Sequence, residues 1–220
     1  MLRDVNASTD TAADRASVCT TSAPVQWWNH LPELVSAPVR LRELRASDAP
    51  ALTAAIGSPE VGAYLSPGPT SVAEIGAFIS WAQGARAEAR YICFGVVPHG
   101  AIDPVGVFQL WPLEPSFRTA EWGFALDPAY WGTGLFNECA QLVMQFGFDR
   151  LGMMRLEARA AADNARGNRA LQKLGALPEG VLRKAFMAGG EYRDHVLWAI
   201  LADDWRRQQA GGARMMGAVA

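Results

Sequence analysis

The chain has 220 residues, half of them hydrophobic and 19% charged, which is the composition of one globular domain with a substantial core. A formal net charge of −2 with no run of Lys or Arg argues against the concentrated basic surface that nucleic acid or an anionic membrane requires. The three cysteines (Cys19, Cys93, Cys139) and three histidines (His30, His99, His195) are scattered without metal-ligand spacing, so no metal is expected and the thiols suit a reducing compartment.

Residues 1–23 are rich in Ala, Ser, Thr and Asp and read as a disordered tail. Asp4, Asp10 and Asp14 break the apolar continuity a secretory signal needs, and no apolar run is long enough to span a bilayer. The expected location is the cytoplasm. Residues 24–37 form an N-terminal extension in which Trp27, Trp28, Leu31 and Leu34 need cover, so packing on the main domain is expected.

The domain proper takes in residues 38–209. Val39, Leu41 and Leu44 alternate with Arg40, Arg42 and Glu43 as a half-buried strand, and Ser47 or Asp48 can cap the helix carrying Leu52 and Ile56. The strip Arg40, Arg42, Arg45 reads as one solvated strand face that could also meet an acidic acceptor. A second helix spans about 71–89, with Ile75, Phe78, Ile79 and Ala82 on one stripe, and strands follow at 91–97, 105–110 and 119–126. A strong helix occupies 137–149, a strand 154–160, and a short helix 166–174 ended by Gly175. Strands at 181–187 and 192–200 flank Gly189-Gly190, a hairpin signal, and a short helix starts near Asp203 before a frayed tail at 210–220. This order of elements predicts an α+β domain on a mixed, mostly antiparallel sheet of about seven strands.

Residues 119–140, TAEWGFALDPAYWGTGLFNECA, carry the chemistry. A strand ends at Leu126, a Pro-containing turn follows, and Gly132 and Gly134 open a helix. Glycines there let backbone approach an anion, and a helix N-terminus offers unpaired N–H groups and a positive dipole end. The lysine of a GxxxxGK[ST] phosphate loop and the GxGxxG of a dinucleotide fold are both absent. Downstream come Asp163-Asn164-Ala165-Arg166-Gly167-Asn168 and Ala170-Leu171-Gln172-Lys173-Leu174-Gly175, then Gly190-Glu191-Tyr192-Arg193-Asp194 and Asp204-Trp205.

Over roughly residues 38–207, in order and spacing, these segments resemble the GNAT superfamily of N-acetyltransferases, and within it the Rim-type branch that modifies ribosomal-protein N-termini. The resemblance implies a sheet splayed at its cofactor site and acetyl-CoA as co-substrate. It also implies that the backbone of Phe124, Ala125 and Leu126 holds the pantetheine arm. The segment Trp131, Gly132, Thr133, Gly134, Leu135 and Phe136 would cradle the pyrophosphate. Asn164, Gly167, Asn168 and Lys173 complete the implied cofactor set, the two asparagines either contacting pantetheine or steadying the end of the second strand.

Acetyl transfer needs a neutral amine, a polarised thioester and a route for the proton. Glu121 is the first candidate base, with ion pairing to Arg155 or Arg159 as its structural alternative. Glu157 is the second candidate and Glu114 the third. Where many relatives carry a tyrosine acid this chain has Leu171, and Gly167 stands where the Rim-like branch has serine, which leaves water or Tyr192 to protonate the thiolate. Phe136 replaces a usually small residue and either packs under its helix or narrows the adenine side. Trp111, Trp122, Trp131 and Trp198 read as core or cofactor-wall residues rather than a substrate cage. The acceptor stays open between a protein N-terminus and a small amine, the assembly between monomer and homodimer. A non-catalytic acyl-CoA-binding or sensing domain is the alternative reading.

Overall fold

A computed structural model describes residues 26–65, 71–188 and 190–216, with side chains through residue 210. The expected N-terminal tail, residues 1–23, and Gly189 lie outside the described residues.

Within the extension, Trp27 and Leu31 are buried, and Trp27 meets Phe117 edge-on at 5.4 Å. The chain then enters a strand that residue patterns did not mark, β1 (Leu34–Ser36), which turns directly into β2 (Val39–Glu43) with Leu34 opposite Leu41. Three residues are too few to show alternation, so only the pairing reveals β1. Helices α1 (Ala49–Ile56), α2 (Pro59–Gly62) and α3 (Val72–Ala87) follow. Ser71 caps α3 by accepting from the Glu74 N–H at 3.2 Å. Ile75, Ile79, Ala82 and Ala85 form the buried stripe of α3, with Phe78 at its margin.

Strands β3 (Ile92–Pro98), β4 (Gly106–Pro112) and β5 (Thr119–Leu126) lead to α4 (Leu135–Gln145), which ends in a π-turn over Phe146–Arg150. Then come β6 (Arg155–Ala161), α5 (Ala165–Lys173), β7 (Leu177–Ala188), β8 (Glu191–Leu201) and α6 (Ala202–Met216). Helix α6 runs past residue 209, where a frayed tail was expected; Gly211 and Gly212 weaken a helix without ending it. The eight strands lie in the order β1-β2-β3-β4-β5-β6-β8-β7, antiparallel throughout except for β5 beside β6.

Two hydrophobic layers sandwich the sheet. Alternation along β5 sends Ala120, Trp122 and Leu126 into the layer with Leu135, Cys139 and Val143 of α4, and Ala125 into the layer with Leu52 of α1 and Ile79 of α3. Glu121 and Gly123 share the α1/α3 face of β5 with Ala125.

Arg42 departs from the solvated strip expected for it. It is 4% exposed and clamps Asp48 through two bonds of 2.7 and 2.9 Å, while also donating to the carbonyls of Glu43 and Ile102. Asp48 further accepts from the Arg45 N–H at 2.7 Å, so its carboxylate does not cap α1. Burial alone would raise this carboxyl, but the Arg42 bonds and the Arg45 N–H outweigh it and hold it below the ordinary value. Its contribution to stability is therefore complete above about pH 4 and is lost as pH falls through the depressed value. Asp48→Asn leaves a buried guanidinium unpaired, and denaturant unfolding at pH 7 should show a loss of about 3–5 kcal/mol.

Candidate active site

The parallel ladder between β5 and β6 is short. Thr119, Ala120 and Glu121 pair with Arg155, Leu156 and Glu157, and there the pairing stops. Beyond it, β5 runs on through Leu126 along β4, and β6 runs on through Ala161 along β8. Residues 122–126 and 158–161 are the two arms of a fork, rigid because each is bonded on its outer side. Their inner edges carry backbone polar groups with no ladder partner, which suits an extended amide-bearing ligand added like a strand.

At the mouth of the fork, Asp127 accepts from the Ala129 N–H at 2.8 Å and starts a tight turn through Pro128. Gly132 and Gly134 take φ of +77° and +91°, and Gly134 is the N-cap of α4. A Cβ built on either meets nothing within 4 Å, so this backbone borders open space. The N–H groups of Gly132, Gly134, Phe136 and Asn137 have no acceptor among the described residues. An anion held there would meet a positive helix end and several aligned donors. The cradle and the fork are continuous, because the Trp131 indole donates to the Leu126 carbonyl at 2.9 Å. Together they fit a molecule with a diphosphate at one end and a flexible amide-containing arm.

The second arm is braced by asparagines. Asn164 caps α5 by accepting from the Gly167 N–H at 2.9 Å. A Cβ at Gly167 would stand 2.7 Å from the Asn164 amide nitrogen, so a larger residue there would make the capping side chain shift. Asn168 donates to the Ala161 and Asn164 carbonyls, both at 2.8 Å, and accepts from the Trp198 indole at 2.8 Å. Its amide is thus spent on holding the tip of β6 to α5 and β8. Asn168→Ala strands the buried Trp198 indole donor and removes the side-chain bonds to two carbonyls that keep a backbone N–H, so stability should fall by about 1–3 kcal/mol, with activity falling further as the fork loosens; equal thermal midpoints would contradict the bracing.

Lys173, grouped with the cofactor residues by sequence, lies in the last turn of α5, whereas the fork meets the first turn. Arg166 occupies that first turn and was missed; its guanidinium stands 4.0 Å over the Trp131 ring, joining the two sides of the mouth. Only a cation opening the helix hinted at it. Phe136 packs at 4.6 Å from Phe124 and 5.7 Å from Phe108, under its helix. Leu171 is buried in the core.

At the apex sits Glu121, 6% exposed. Trp111 is its partner across the β4–β5 ladder, and Arg159 Nη1 of β6 lies 3.1 Å from its Oε2. Burial pushes its carboxyl above the ordinary value; Arg159 pulls it down, Glu157 pushes it up, and the neighbouring Trp111 indole opposes without cancelling. A carboxylate poised this way can accept a proton nearer neutral pH than a free one.

The other candidates are committed or distant. Glu157 pairs with Arg155 at 2.8 Å, and Arg155 also clamps Glu179. Glu114 accepts from Ser116, Arg118 and Thr119 N–H groups and the Ser116 hydroxyl. These bonds, led by the hydroxyl, bring its carboxyl down to about 2, which makes it a loop staple and a poor base. Tyr192 is 61% exposed and pairs with Met187 near the hairpin tip, whereas Ala199 is the β8 residue beside Glu157. The structure therefore does not bring Tyr192 to Glu121. Trp122 and Trp198 are buried, Trp131 flanks the mouth and Trp111 flanks Glu121, so the four tryptophans form no cage. Among the described residues no group of three or more His, Cys, Asp or Glu could hold a metal ion, and no helix is long and apolar enough to cross a membrane.

A sheet opened between one parallel pair, with a glycine cradle at its mouth, defines the GNAT acetyltransferase fold. The model of the acetyltransferase (GNAT) domain family matches residues 39–177, and the chain belongs to that family. It is 31% identical over 164 residues to the uncharacterized N-acetyltransferase YoaA of Bacillus subtilis (strain 168), covering 73% of this chain and 92% of that one. The spermidine N(1)-acetyltransferase of Escherichia coli (strain K12) is 30% identical over 98 residues, 44% of this chain and 53% of its own length. The ribosomal-protein-serine acetyltransferase of the same strain is 27% identical over 99 residues, 45% and 55% of the two lengths. The crystal structure of a GNAT-family acetyltransferase from Bacillus anthracis superposes with a TM-score of 0.70 at 23% identity, over 78% of this chain and 99% of that one, which speaks to the fold alone.

Proposed function

We propose that the protein moves an acetyl group from acetyl-CoA to a primary amine at the apex of the β5/β6 fork. The observation that carries this reading is the position of Glu121, a buried carboxylate with a raised pKa at the point where the parallel ladder ends. The cradle N–H groups of Gly132, Gly134, Phe136 and Asn137 hold the diphosphate, and the inner edges of residues 122–126 and 158–161 hold the pantetheine arm. When bound, acetyl-CoA supplies the activated thioester. Glu121 takes one proton from the incoming ammonium. The neutral nitrogen forms the new bond to the acetyl carbon, the C–S bond breaks, and the second nitrogen proton ends on the departing thiolate through water. With Leu171 buried and Tyr192 remote, no side-chain acid is assigned to that last step.

The motif around Trp131 and Asn164 supports a Rim-type acceptor, a protein N-terminal amine, while likeness to a spermidine acetyltransferase over part of the chain supports a small amine. An α-amino group, with a reference pKa near ~8, is the easier nucleophile at neutral pH. The alternative, a binding domain without turnover, rests on the buried Leu171. The two readings part on a thiol assay. Purified protein with acetyl-CoA and a panel of amines should release CoA thiol only when amine is present. Binding of acetyl-CoA with no amine-dependent thiol would favour the binding domain.

A further inference from the structure

We infer that the acceptor carries a carboxylate close to its amine, and that Arg159 is the specificity-determining residue that receives it. This inference deepens the proposed function and rests on it.

The apex holds one ion pair of unequal exposure. Glu121 is buried, whereas the Arg159 side chain is 40% exposed. Among the described residues Arg159 makes no other ion pair or hydrogen bond, although a guanidinium offers five donors. Two other arginines of this sheet are tied more fully. Arg42 is spent on Asp48 and two carbonyls, and Arg155 on Glu157 and Glu179. His195, on β8 opposite Ala161, is also held below its ordinary pKa by burial and then by the Arg159 charge, so it adds no cation there. Arg159 is therefore the free cationic face beside the base.

An amine that reaches Glu121 arrives as ammonium and competes with Arg159 for the carboxylate. A polyamine would leave that guanidinium displaced and facing further positive charge. An acceptor with its own carboxylate resolves the conflict: ammonium faces Glu121, carboxylate faces Arg159, and the charges at the apex stay balanced. The match is geometric as well. In an α-amino acid the nitrogen and carboxyl carbon are about 2.5 Å apart, and the protein's own pair is 3.1 Å apart. Planar guanidinium also suits bidentate carboxylate recognition. The strand order β4-β5-β6 sets the remaining direction. Arg159 lies on one side of Glu121 and the Trp111 indole on the other, the indole lying over Gly123, where a Cβ would stand 3.3 Å from its ring. The acceptor's third substituent is thereby turned toward an aromatic wall. Two sources share this chemistry, a free amino acid and a peptide beginning with an acidic residue.

The test compares phenylalanine, phenylalaninamide, a tripeptide amide starting with Asp, the same tripeptide starting with Asn, and spermidine, in the thiol assay with wild type and Arg159→Gln. Wild type should prefer the carboxylate-bearing member of one matched pair. The free amino acid winning assigns a small acceptor, and the Asp peptide winning assigns a protein N-terminus. Arg159→Gln should reduce kcat/KM for that member by about 30-fold more than for its neutral partner, mostly through KM, with Arg159→Lys restoring part of the loss. Equal use of the matched partners by wild type, preference for spermidine, or an equal fall on both partners in Arg159→Gln would overturn the assignment. A protein that binds acetyl-CoA yet turns over none of the five acceptors fails at the level of the proposed function. To keep folding apart from recognition, each variant's acetyl-CoA affinity is titrated alongside and should match wild type within about threefold, about 0.7 kcal/mol.

Discussion

Glu121→Gln is expected to lower kcat/KM with the best acceptor by about 10²–10⁴-fold, the range removed with a positioned general base, while acetyl-CoA affinity stays near wild type. The substitution keeps the shape of the side chain and an oxygen facing Trp111, and removes the charge that takes the proton and pairs with Arg159. The pH profile gives a second readout. Because burial raises the Glu121 carboxyl, with Glu157 adding to the shift against the pull of Arg159 and Trp111, the wild-type rate should climb with pH through a value above that of a free glutamate. That limb should vanish in the variant. Stability moves the other way. A carboxyl raised in the folded state binds more protons folded than unfolded, so its charge costs stability increasingly as pH rises past the unfolded value. Glu121→Gln should therefore be no less stable than wild type at pH 7, since the Arg159 partner it gives up is 40% exposed and screened. A variant as active as wild type would remove Glu121 from the chemistry.

Gly134→Glu should abolish the thermal stabilisation that CoA confers on the wild-type protein, with affinity reduced by at least about 100-fold, the equivalent of about 2.7 kcal/mol. Two effects combine. The residue sits at φ +91°, where any side chain strains the backbone by about 1–2 kcal/mol. The new carboxylate also projects into the open space above the donors at the start of α4, where the diphosphate belongs. Gly134→Ala separates them, because alanine brings the strain without the charge. It should lose stability and keep most of its CoA affinity. If Gly134→Glu still binds CoA as wild type does, these glycines form a turn and nothing more.

Much of this was legible along the chain wherever the signal is local. The strand Thr119–Leu126 stands out by its composition and its Pro-Gly boundary, and the helix after Asn164 by its cap and by Gly175, whose φ is +85°. Glu121 stands out as an acid in an apolar strand. What escaped depends on partners far away in sequence. β1 exists because β2 pairs with it, not because of its three residues. Arg42 looks like one tooth of a charged strip until Asp48 folds back beneath it. Glu114 looks like a spare base until its loop closes four donors around it. Tyr192 follows the hairpin signal correctly, but a long hairpin carries it away from the apex, and only the β6–β8 register shows how far. Arg166 over Trp131 joins two segments that each looked complete alone.

The most direct single measurement is a calorimetric titration of the wild-type protein with acetyl-CoA. One saturable site per chain is expected, with a dissociation constant in the range of about 1 μM to 1 mM that enzyme substrates occupy. Absence of saturable binding would contradict the assignment of the fork and its glycine cradle as an acetyl-CoA site, and the acceptor chemistry at Glu121 and Arg159 would fall with it.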